Sequence, residues 1–232
     1  MTDISQQEQA AQQMRERHMS IPYPKQRSDF GLAPADFSDD ALTIAGHPVM
    51  QGFQRDYMAH LAHIASSNGG DTLEIGYGMG LATRVFLEQP TVATHTIVEC
   101  HPDVLKRCID DLRVEIADSR VRVIAAYWED AMKLLRAETF DGILFDTYPT
   151  TRDDVELSHF PFFPDAYRLL RPGGVFTYYS DEAVKLPPEH VALLSDAGFT
   201  TVDETLIAIP PQDNPMYWQA ESIVAPAAIK SR

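Results

Sequence analysis

The sequence predicts an α/β fold with a doubly wound, seven-stranded sheet whose last strand runs antiparallel to the others. Three observations support it. Apolar strand-like runs alternate with helical segments, a glycine-rich turn joins the first such strand to its helix, and two β-rich runs without an intervening helix close the chain. Repeated βα units build parallel sheets with helices on both faces. A closing pair joined by a loop is typical of an antiparallel hairpin.

The predicted elements follow the chain in order. Residues 1–29 form a polar N-terminal arm with a possible helix over 9–19, and residues 30–232 form one domain that opens with a loop-rich stretch over 30–48. Apolar residues at helical spacing predict an amphipathic helix over residues 53–65. Five strands are expected at residues 72–76, 94–99, 121–126, 142–146 and 175–179. Their helices are expected at residues 81–88, 103–117, 129–137, 164–170 and 188–197.

The glycines and prolines mark the remaining boundaries. Residues 171–174 (RPGG) predict a turn before the fifth strand. A proline-rich turn over residues 210–215 separates the closing strands, which are expected at residues 200–209 and 216–224. No internal repeat or second domain is visible.

Composition limits the classes of partner and location. The chain has 232 residues, 44% of them hydrophobic, and a net charge of -15, which argues against nucleic acid because phosphate binding needs a basic face. No apolar run is long enough for a membrane helix. Cys100 and Cys108 are the only cysteines, so we expect no disulfide framework, no zinc or other metal site and a cytoplasmic location. The histidines are scattered, and only His159 is a candidate pocket residue.

The turn over residues 73–82 (LEIGYGMGLA) is the most informative stretch. Gly76, Gly78 and Gly80 recur at every second position, and Leu81 stands where a dinucleotide fingerprint has its third glycine. With Glu74 ahead of it, the pattern resembles the first motif of S-adenosylmethionine-dependent methyltransferases. That resemblance implies the Rossmann-like class I fold and S-adenosylmethionine as cofactor. An ordinary glycine-rich turn and a nucleotide-dependent dehydrogenase are the alternatives.

Candidate site residues follow the predicted strands, where doubly wound sheets bind their ligands. Glu99 ends the second strand and either accepts the hydroxyl groups of a ribose or is a solvated loop acid. Trp128 and Glu129 follow the third strand and either flank an adenine or simply begin a helix. Asp146 ends the fourth strand, where a methyltransferase presents a catalytic or substrate-binding group, and Tyr148 is either a pocket wall or packing.

Several longer stretches resemble one family. They are residues 46–50 (GHPVM), 57–58 (YM), 73–79, 97–100 (IVEC), 128–130 (WED), 140–149 (FDGILFDTYP) and 209–211 (IPP), preceded by residues 30–35. Together these stretches resemble the guanidinoacetate N-methyltransferases and their relatives, which include arginine Nδ-methyltransferases. The resemblance runs from about residue 30 to the C-terminus and leaves the N-terminal arm outside it.

The resemblance implies roles for individual residues. The cofactor-binding set would comprise Met50, Met58, Glu74, Gly76, Gly78, Met79, Gly80, Glu99, Cys100, Trp128, Glu129 and Asp146. Phe30 stands where the family has a tryptophan over the cofactor, so an aromatic lid is expected. Asp146 would bind the guanidino group and accept its proton, which makes it the expected catalytic residue. Tyr148 is expected beside the substrate.

Two positions depart from the family pattern. Gln54 stands where the family has a second guanidino-binding glutamate, and a neutral amide accepts a hydrogen bond without charge pairing. Asp181 and Glu182 stand where the family holds the substrate carboxylate with backbone N–H groups. Two acids would repel a carboxylate. Either they bind an amino group of an arginine-like substrate, or they face solvent.

Together, the motifs and the resemblance predict an S-adenosylmethionine-dependent N-methyltransferase that methylates the guanidino group of a small molecule, either arginine-like or guanidinoacetate-like. The alternatives are a protein arginine Nδ-methyltransferase, a methyltransferase for a non-guanidino amine, and a non-catalytic cofactor-binding protein. We expect a small-molecule guanidino partner and neither nucleic acid nor membrane. The sequence leaves the acceptor, the methylated nitrogen and the oligomeric state open.

Overall fold

The structure is a computed structural model. It describes residues 4–20, 23–24, 26–151, 153–154, 159–210, 218 and 220–232, without the side chains of residues 11, 14, 15 and 17–20. The predicted proline-rich turn over 210–215 and the start of the predicted last strand therefore lie almost entirely outside the described residues.

A small antiparallel sheet precedes the main one and corrects the expectation of a loop-rich stretch over residues 30–48. Its strands are β1 (Ala35–Phe37), β2 (Ala41–Ile44) and β3 (His47–Gln51), in the order β1-β2-β3. Leu42 and Ile44 alternate into the core at 0% and 2% exposure, which stabilises β2 despite its short length. A bulge between Leu42 and Thr43 adjusts the register where Pro48 pairs with Thr43.

The main sheet confirms the predicted fold class. Its strands are β4 (Gly70–Ile75), β5 (Val92–Glu99), β6 (Val121–Ala125), β7 (Phe140–Phe145), β8 (Leu170–Tyr178), β9 (Thr201–Ala208) and β10 (Ser222–Ile229). The described strands lie in the order β6-β5-β4-β7-β8-β10-β9. Strands β4 to β8 are mutually parallel. The last strand, β10, runs antiparallel between β8 and β9.

Helices cover both faces of this sheet. The described helices are α1 (Ile4–Ser20), α2 (Arg27–Leu32), α3 (Arg55–Ala65), α4 (Leu81–Glu88), α5 (Pro102–Asp111), α6 (Arg113–Ala117), α7 (Trp128–Leu134), α8 (Phe163–Leu169) and α9 (Pro188–Ala197). Helices α3, α4 and α5 share one apolar cluster with Leu144, while α7, α8 and α9 share the other with Ile143 and Phe145. This alternation along β7 is the signature of a strand buried on both faces. None of the described helices combines the length and apolar character needed to cross a bilayer.

Three boundaries differ from the sequence prediction. The single helix expected over 103–117 is divided at Leu112, whose backbone leaves the helical region at φ -109° and ψ 20°. Residues 171–174 lie within β8 as an irregularity opposite Asp141, so they do not precede the strand. The last strand begins at Ser222 and passes through Pro226. Proline has no N–H group to donate. Residue 226 pairs with β9, whereas the pairing of β10 with β8 involves Ala228 and Ile229, so the ladder to β8 loses no donor at the proline.

One glycine allows α3 to approach the sheet closely. A Cβ atom on Gly142, in β7, would overlap the carbonyl oxygen of Ala65, the last residue of α3. Because this neighbour is backbone in a fully buried position, it cannot move aside as a side-chain tip could. The close contact brings α3 against the strand that Asp146 directly follows.

We expect Gly142→Ala to lower the free energy of unfolding by about 2–3 kcal/mol, because the new methyl group overpacks the contact with Ala65. Urea unfolding followed by circular dichroism measures the change. Gly31→Ala is the matched control. Its Cβ would lie 3.5 Å from the Tyr127 hydroxyl, an ordinary contact, so stability should hold or rise slightly. Equal stability of the two variants would contradict the close-approach argument.

Candidate active site

The carboxyl ends of strands β4 to β8 open into a cavity of about 660 Å³. At the carboxyl end of each strand lies a residue that the sequence singled out, and all five line the cavity: Gly76, Glu99, Trp128, Asp146 and Asp181. By the order of the sheet, the loops after β4, β5 and β6 line one half, which we call the β4–β6 half. The loops after β7 and β8 line the other, the β7–β8 half. A cavity of this size is typical of small-molecule sites.

The glycine turn after β4 adopts a conformation that favours glycine at each of its three positions. Gly76, Gly78 and Gly80 have φ values of 90°, 55° and 71°, and Gly80 is the residue before α4. A Cβ on Gly76 would meet the carbonyl oxygen of Asp146, and one on Gly78 would meet the Met50 side chain. The turn therefore packs directly against the predicted catalytic loop and against the predicted cofactor residue Met50. Gly76, Gly78 and Met50 line the cavity.

Glu99 is held by backbone donors at the end of β5. Its Oε1 accepts hydrogen bonds from the N–H groups of Cys100 and His101, both at 2.8 Å, and its Oε2 accepts one from Tyr77 at 3.0 Å. Burial raises the pKa of Glu99, whereas these three donors act in the opposite direction. Cys100 also lines the cavity, and burial raises its pKa to about 12, so its thiol is protonated at neutral pH. The Glu99 carboxylate is thus fixed in place, and one acceptor site on Oε2 is left for a ligand.

The residues after β6 divide between the cavity and solvent. Trp128 lies in the wall with its ring edge-on to Phe145 and Phe162, at centroid distances of 5.7 and 5.5 Å. Glu129 faces the cavity, where its carboxylate is 2.5 Å from the Arg27 guanidinium. Asp130 is exposed and pairs with Lys133 at 2.7 Å.

Four residues of the predicted cofactor-binding set lie behind the cavity wall: Met58, Glu74, Met79 and Gly80. Glu74 is 1% exposed, and its Oε2 accepts a hydrogen bond from Thr83 at 2.6 Å and contacts His95 Nε2 at 2.8 Å. Glu74 therefore supports the turn from beneath. Met58 is a core residue of α3, and Met79 is also buried, with its N–H group directed at Met50 Sδ. Their contact with cofactor stays a prediction.

Asp146 lies at the end of β7, at the junction of the two halves. Its N–H group donates to the Ile75 carbonyl at 2.9 Å, which ties the residue to the end of β4. Burial raises the pKa of Asp146 to about 7, and the negative charges of Glu74 and Asp181 act in the same direction. A carboxylate with a pKa near neutrality can both release and accept a proton under physiological conditions.

Gln54 is buried and lines the cavity. It is the residue that stands where the family pattern has a second carboxylate. Its Oε1 accepts a hydrogen bond from the Gln51 N–H at 2.6 Å, within the short 3₁₀ helix Gly52–Gln54. This bond occupies one of the two acceptor sites of the amide oxygen. A neutral amide that accepts a hydrogen bond gives no charge pairing to a guanidinium, which a carboxylate would.

Aromatic residues cover the junction near Asp146. The Tyr148 hydroxyl lies 3.1 Å from the Tyr23 hydroxyl and 3.1 Å from His47 Nδ1. Phe30 stacks against Tyr148 with a centroid distance of 6.4 Å and an interplanar angle of 11°. The predicted lid residue thus meets the loop that carries Asp146, and Tyr23 extends the aromatic cover.

The loop after β8 carries Asp181 and Glu182, both of which line the cavity. Asp181 has a positive φ of 57°. The loop is fastened to β10, because Val224 N–H donates to the Glu182 carbonyl at 2.7 Å and Ser180 Oγ donates to the Val224 carbonyl at 2.6 Å. Both acids therefore belong to the cavity wall.

Sequence reasoning missed four contributors: Tyr23, Arg27, Asp154 and His190. Arg27 bridges Glu129 and Asp154, the latter at 2.9 Å, and so links the N-terminal segment to two cavity loops. The predicted N-terminal arm, residues 1–29, thus supplies Tyr23 and Arg27 to the site. An aromatic and a basic residue just ahead of the expected lid at Phe30 were the only signals in the sequence.

His190 forms a buried pair with His159, the one histidine that the sequence placed near the pocket. Their Nε2 atoms lie 2.7 Å apart, and both rings line the cavity. Burial lowers the pKa of His159 well below its usual range, with His190 contributing. One ring must donate this hydrogen bond and the other must accept it.

Known proteins resemble this chain in sequence. A family model described as guanidinoacetate N-methyltransferase matches residues 25–231. "Protein arginine N-methyltransferase 2" of Yarrowia lipolytica is 27% identical over 157 residues, which cover 64% of this chain and 32% of that protein. "Putrescine N-methyltransferase 2" of Nicotiana tabacum is 30% identical over 141 residues, covering 58% and 40%. The chain therefore spans less than half the length of either curated relative.

Solved structures share the fold. A spermidine synthase in complex with the transition-state analogue AdoDATO superposes with a TM-score of 0.62 at 18% identity, covering 85% of this chain and 73% of that one. The 1,6-didemethyltoxoflavin-N1-methyltransferase of Burkholderia thailandensis, bound to 1,6-didemethyltoxoflavin and S-adenosylhomocysteine, has a TM-score of 0.54 at 21% identity, covering 77% and 78%. At sequence identities this low, the similarity is evidence for the fold alone.

We expect Glu99→Gln to weaken binding of S-adenosylhomocysteine by roughly tenfold or more. The amide replaces one acceptor oxygen by a donor, which opposes both the surrounding N–H groups and a ribose hydroxyl. Isothermal titration calorimetry measures the dissociation constant. Asp130→Asn makes the same chemical change on an exposed carboxylate and should leave the affinity unaltered. Equal affinities for the two variants would remove Glu99 from the ribose site.

Proposed function

We propose that this chain, which belongs to the guanidinoacetate N-methyltransferase family, uses S-adenosylmethionine to methylate the guanidino group of a small cationic molecule. The observation that carries the proposal is Asp146. It is a carboxylate whose pKa burial raises to about 7, set against the glycine turn in a cavity rich in acids. The names of the two curated relatives both describe methyl transfer to a basic nitrogen.

The residues of the β4–β6 half fit this cofactor. Gly76 and Gly78 leave space along the turn that side chains would fill, and the fixed Glu99 carboxylate would accept a ribose hydroxyl at Oε2. Trp128 and Glu129 would border the adenine. When bound, the cofactor supplies an electrophilic methyl group on a sulfonium.

Asp146 would perform the acid–base part of the reaction. A guanidinium is protonated at neutral pH and has no free electron pair for attack. The Asp146 carboxylate would bind the guanidinium by charge-assisted hydrogen bonds, orient one nitrogen and accept its proton. The cofactor would supply the methyl group and keep the electron pair of its C–S bond, and Asp146 would hold the proton that the methylated nitrogen loses. Phe30, Tyr23 and Tyr148 cover this junction and would exclude water from the reacting atoms.

A second candidate acceptor is an arginine side chain within a protein, and the names of the fungal relatives favour it. The same Asp146 chemistry would apply. The aromatic cover and the Arg27 bridge to Glu129 and Asp154 enclose the cavity, which favours a small free acceptor.

We expect the wild-type protein to methylate simple guanidines in the presence of S-adenosylmethionine, with the product identified and the methyl group placed by fragmentation mass spectrometry. Asp146→Asn should lower turnover by roughly 10²–10⁴-fold, because the amide cannot accept the proton. It should still bind S-adenosylhomocysteine. Asp153→Asn, an exposed acid seven residues later, is the matched control and should keep normal turnover.

Two outcomes of that experiment would overturn the proposal. If the products include methylated amines or arginine peptides but no methylated free guanidine, the acceptor class is wrong. If Asp146→Asn keeps wild-type turnover, the assignment of Asp146 as the base is wrong.

We also expect kcat/KM for a guanidine to rise with pH through about 7, the pKa to which burial raises Asp146. Below that pKa the carboxyl is protonated and can neither attract the guanidinium nor accept its proton, so kcat/KM should fall about tenfold per pH unit. Initial rates from pH 5.5 to 9 at low acceptor concentration measure the profile. A flat profile across this range would contradict a base with a raised pKa.

A further inference from the structure

We propose that His95 is a positioning residue for Asp146: its imidazolium keeps the buried Glu74 ionised, and the Glu74 charge makes Asp146 a stronger base. The inference rests on the proposed function for the role of Asp146 as the base, and it adds the source of that base's strength. His95 lies in β5 beneath the glycine turn, outside the described lining of the cavity.

His95 lies at the centre of a buried network. His95 Nε2 is 2.8 Å from Glu74 Oε2, and the same oxygen accepts a hydrogen bond from Thr83 Oγ1 at 2.6 Å. His95 Nδ1 is 2.8 Å from Thr72 Oγ1, and the Phe86 ring stacks on the imidazole at a centroid distance of 4.4 Å. None of these five residues is more than 1% exposed. Solvent does not reach the network, so the charge of Glu74 must be balanced within the protein.

The hydrogen bonds of the network are satisfied when each ring nitrogen of His95 carries a proton. The Thr72 hydroxyl has a single proton, which it donates to the Thr94 carbonyl at 3.3 Å, and Thr72 Oγ1 then accepts from His95 Nδ1. An ionised Glu74 is an acceptor only, so His95 Nε2 donates to it. An imidazole ring that donates from both nitrogens is an imidazolium.

His95 is the one basic side chain that contacts Glu74 in the described part of the chain. The other titratable groups around this pair are Tyr77 in the glycine turn, Cys108 and Asp111 in α5, Glu99 at the end of β5 and Asp146 after β7. Burial raises the pKa of Tyr77, and it raises the pKa of Cys108 to about 12, so both are uncharged at neutral pH. A buried carboxylate stays ionised when it is paired with a cation, and His95 provides that cation.

The order of the sheet brings the charge of Glu74 close to Asp146. Paired residues on neighbouring parallel strands face the same side of the sheet, and side chains alternate along each strand. Glu74 pairs with Leu144 on β7, and Asp146 lies two positions beyond Leu144, so it faces the same side. His95 pairs with Thr72 on β4 and shares that side as well. The anion therefore lies on the central strand of three, with the cation on one neighbour and the base on the other.

This arrangement acts on the strength of Asp146 as a base. Burial raises the pKa of Asp146 to about 7, and the charges of Glu74 and Asp181 act in the same direction. A carboxyl group holds its proton more tightly when another negative charge lies nearby. With a neutral Glu74, Asp146 would be a weaker base for the proton of a guanidinium. The effect of His95 on Asp146 passes through Glu74.

The charge of His95 can be measured in the wild-type protein. A proton–nitrogen NMR spectrum of the histidine rings distinguishes an imidazolium from both neutral tautomers. The signals of His95 are assigned through its contact with the Phe86 ring. We expect both ring nitrogens of His95 to carry a proton at neutral pH. A neutral His95 ring would overturn the inference.

Two isosteric or near-isosteric variants test the path from His95 to Asp146. His95→Gln should let Glu74 take up a proton, and Glu74→Gln removes the charge outright. Each should lower the pH at which Asp146 is half-ionised by roughly half a unit or more. The double variant should lower it no further, because both changes remove the same charge. Carbon NMR of the aspartate carboxyl groups measures this midpoint, and the Asp146 signal is identified by its loss in Asp146→Asn.

His63→Gln is the matched control, since it makes the same change at an exposed histidine of α3 and should leave the midpoint unaltered. Thermal stabilisation by S-adenosylhomocysteine reports that each variant is folded. In folded variants, the pH profile of kcat/KM for a guanidine should shift with the carboxyl midpoint. A loss of structure alone would lower kcat/KM by the same factor at every pH and leave the midpoint in place.

The outcomes separate this inference from the proposed function, because the carboxyl titration requires no methylation. An unchanged or raised midpoint in either folded variant would overturn the role of His95 and leave guanidino methylation intact. If His95→Gln does not fold, the wild-type ring spectrum and Glu74→Gln decide the question. Absence of methylation with every guanidine would overturn the proposed function, while the titration would still decide whether His95 acts on Asp146.

Discussion

The site depends on the close approach of the carboxyl ends of β4 and β7. Asp146 N–H donates to the Ile75 carbonyl at 2.9 Å, and the backbone of Gly76 lies against the Asp146 carbonyl. A side chain at position 76 would separate the two strand ends. Because it is absent, the glycine turn and the carboxylate share one junction. On the far side of β7, Gly142 admits α3 equally closely, so the strand that carries Asp146 is held at both its middle and its end.

The acids around this junction are held in different charge environments, which accounts for their different roles. Glu74 is buried with Thr83 and His95, and Glu99 has three backbone donors. These contacts use the carboxylates as structural acceptors. Asp146 differs from both: burial raises its pKa to about 7, and the charges of Glu74 and Asp181 act in the same direction. Asp146 therefore has a pKa near neutrality and can move a proton.

The sequence predicted the strand-end residues well because their positions follow from topology alone. Once βα units are recognised, Gly76, Glu99, Trp128 and Asp146 must meet at one edge of the sheet. Side-chain direction is less accessible to such reasoning. Glu74 belongs to the same motif but points beneath the turn, since neighbouring residues of a strand face opposite sides.

The N-terminal contribution to the site, including Arg27, depends on tertiary contacts that no local pattern encodes. The small sheet over residues 35–51 was missed for a related reason. Its strands are short and include Pro48, and they are stabilised by burial of Leu42 and Ile44 in the common core. The last strand begins later than predicted and continues through Pro226. A proline is tolerated there because residue 226 pairs with β9, and the sequence alone does not show which neighbour pairs at a residue.

Acceptor recognition and acceptor activation can be one event in this arrangement. At neutral pH Asp146 is partly protonated, because burial raises its pKa to about 7 and the charges of Glu74 and Asp181 act in the same direction. A guanidinium at Asp146 would stabilise the ionised carboxylate and so lower that pKa. The acceptor would thus ionise the group that removes its proton.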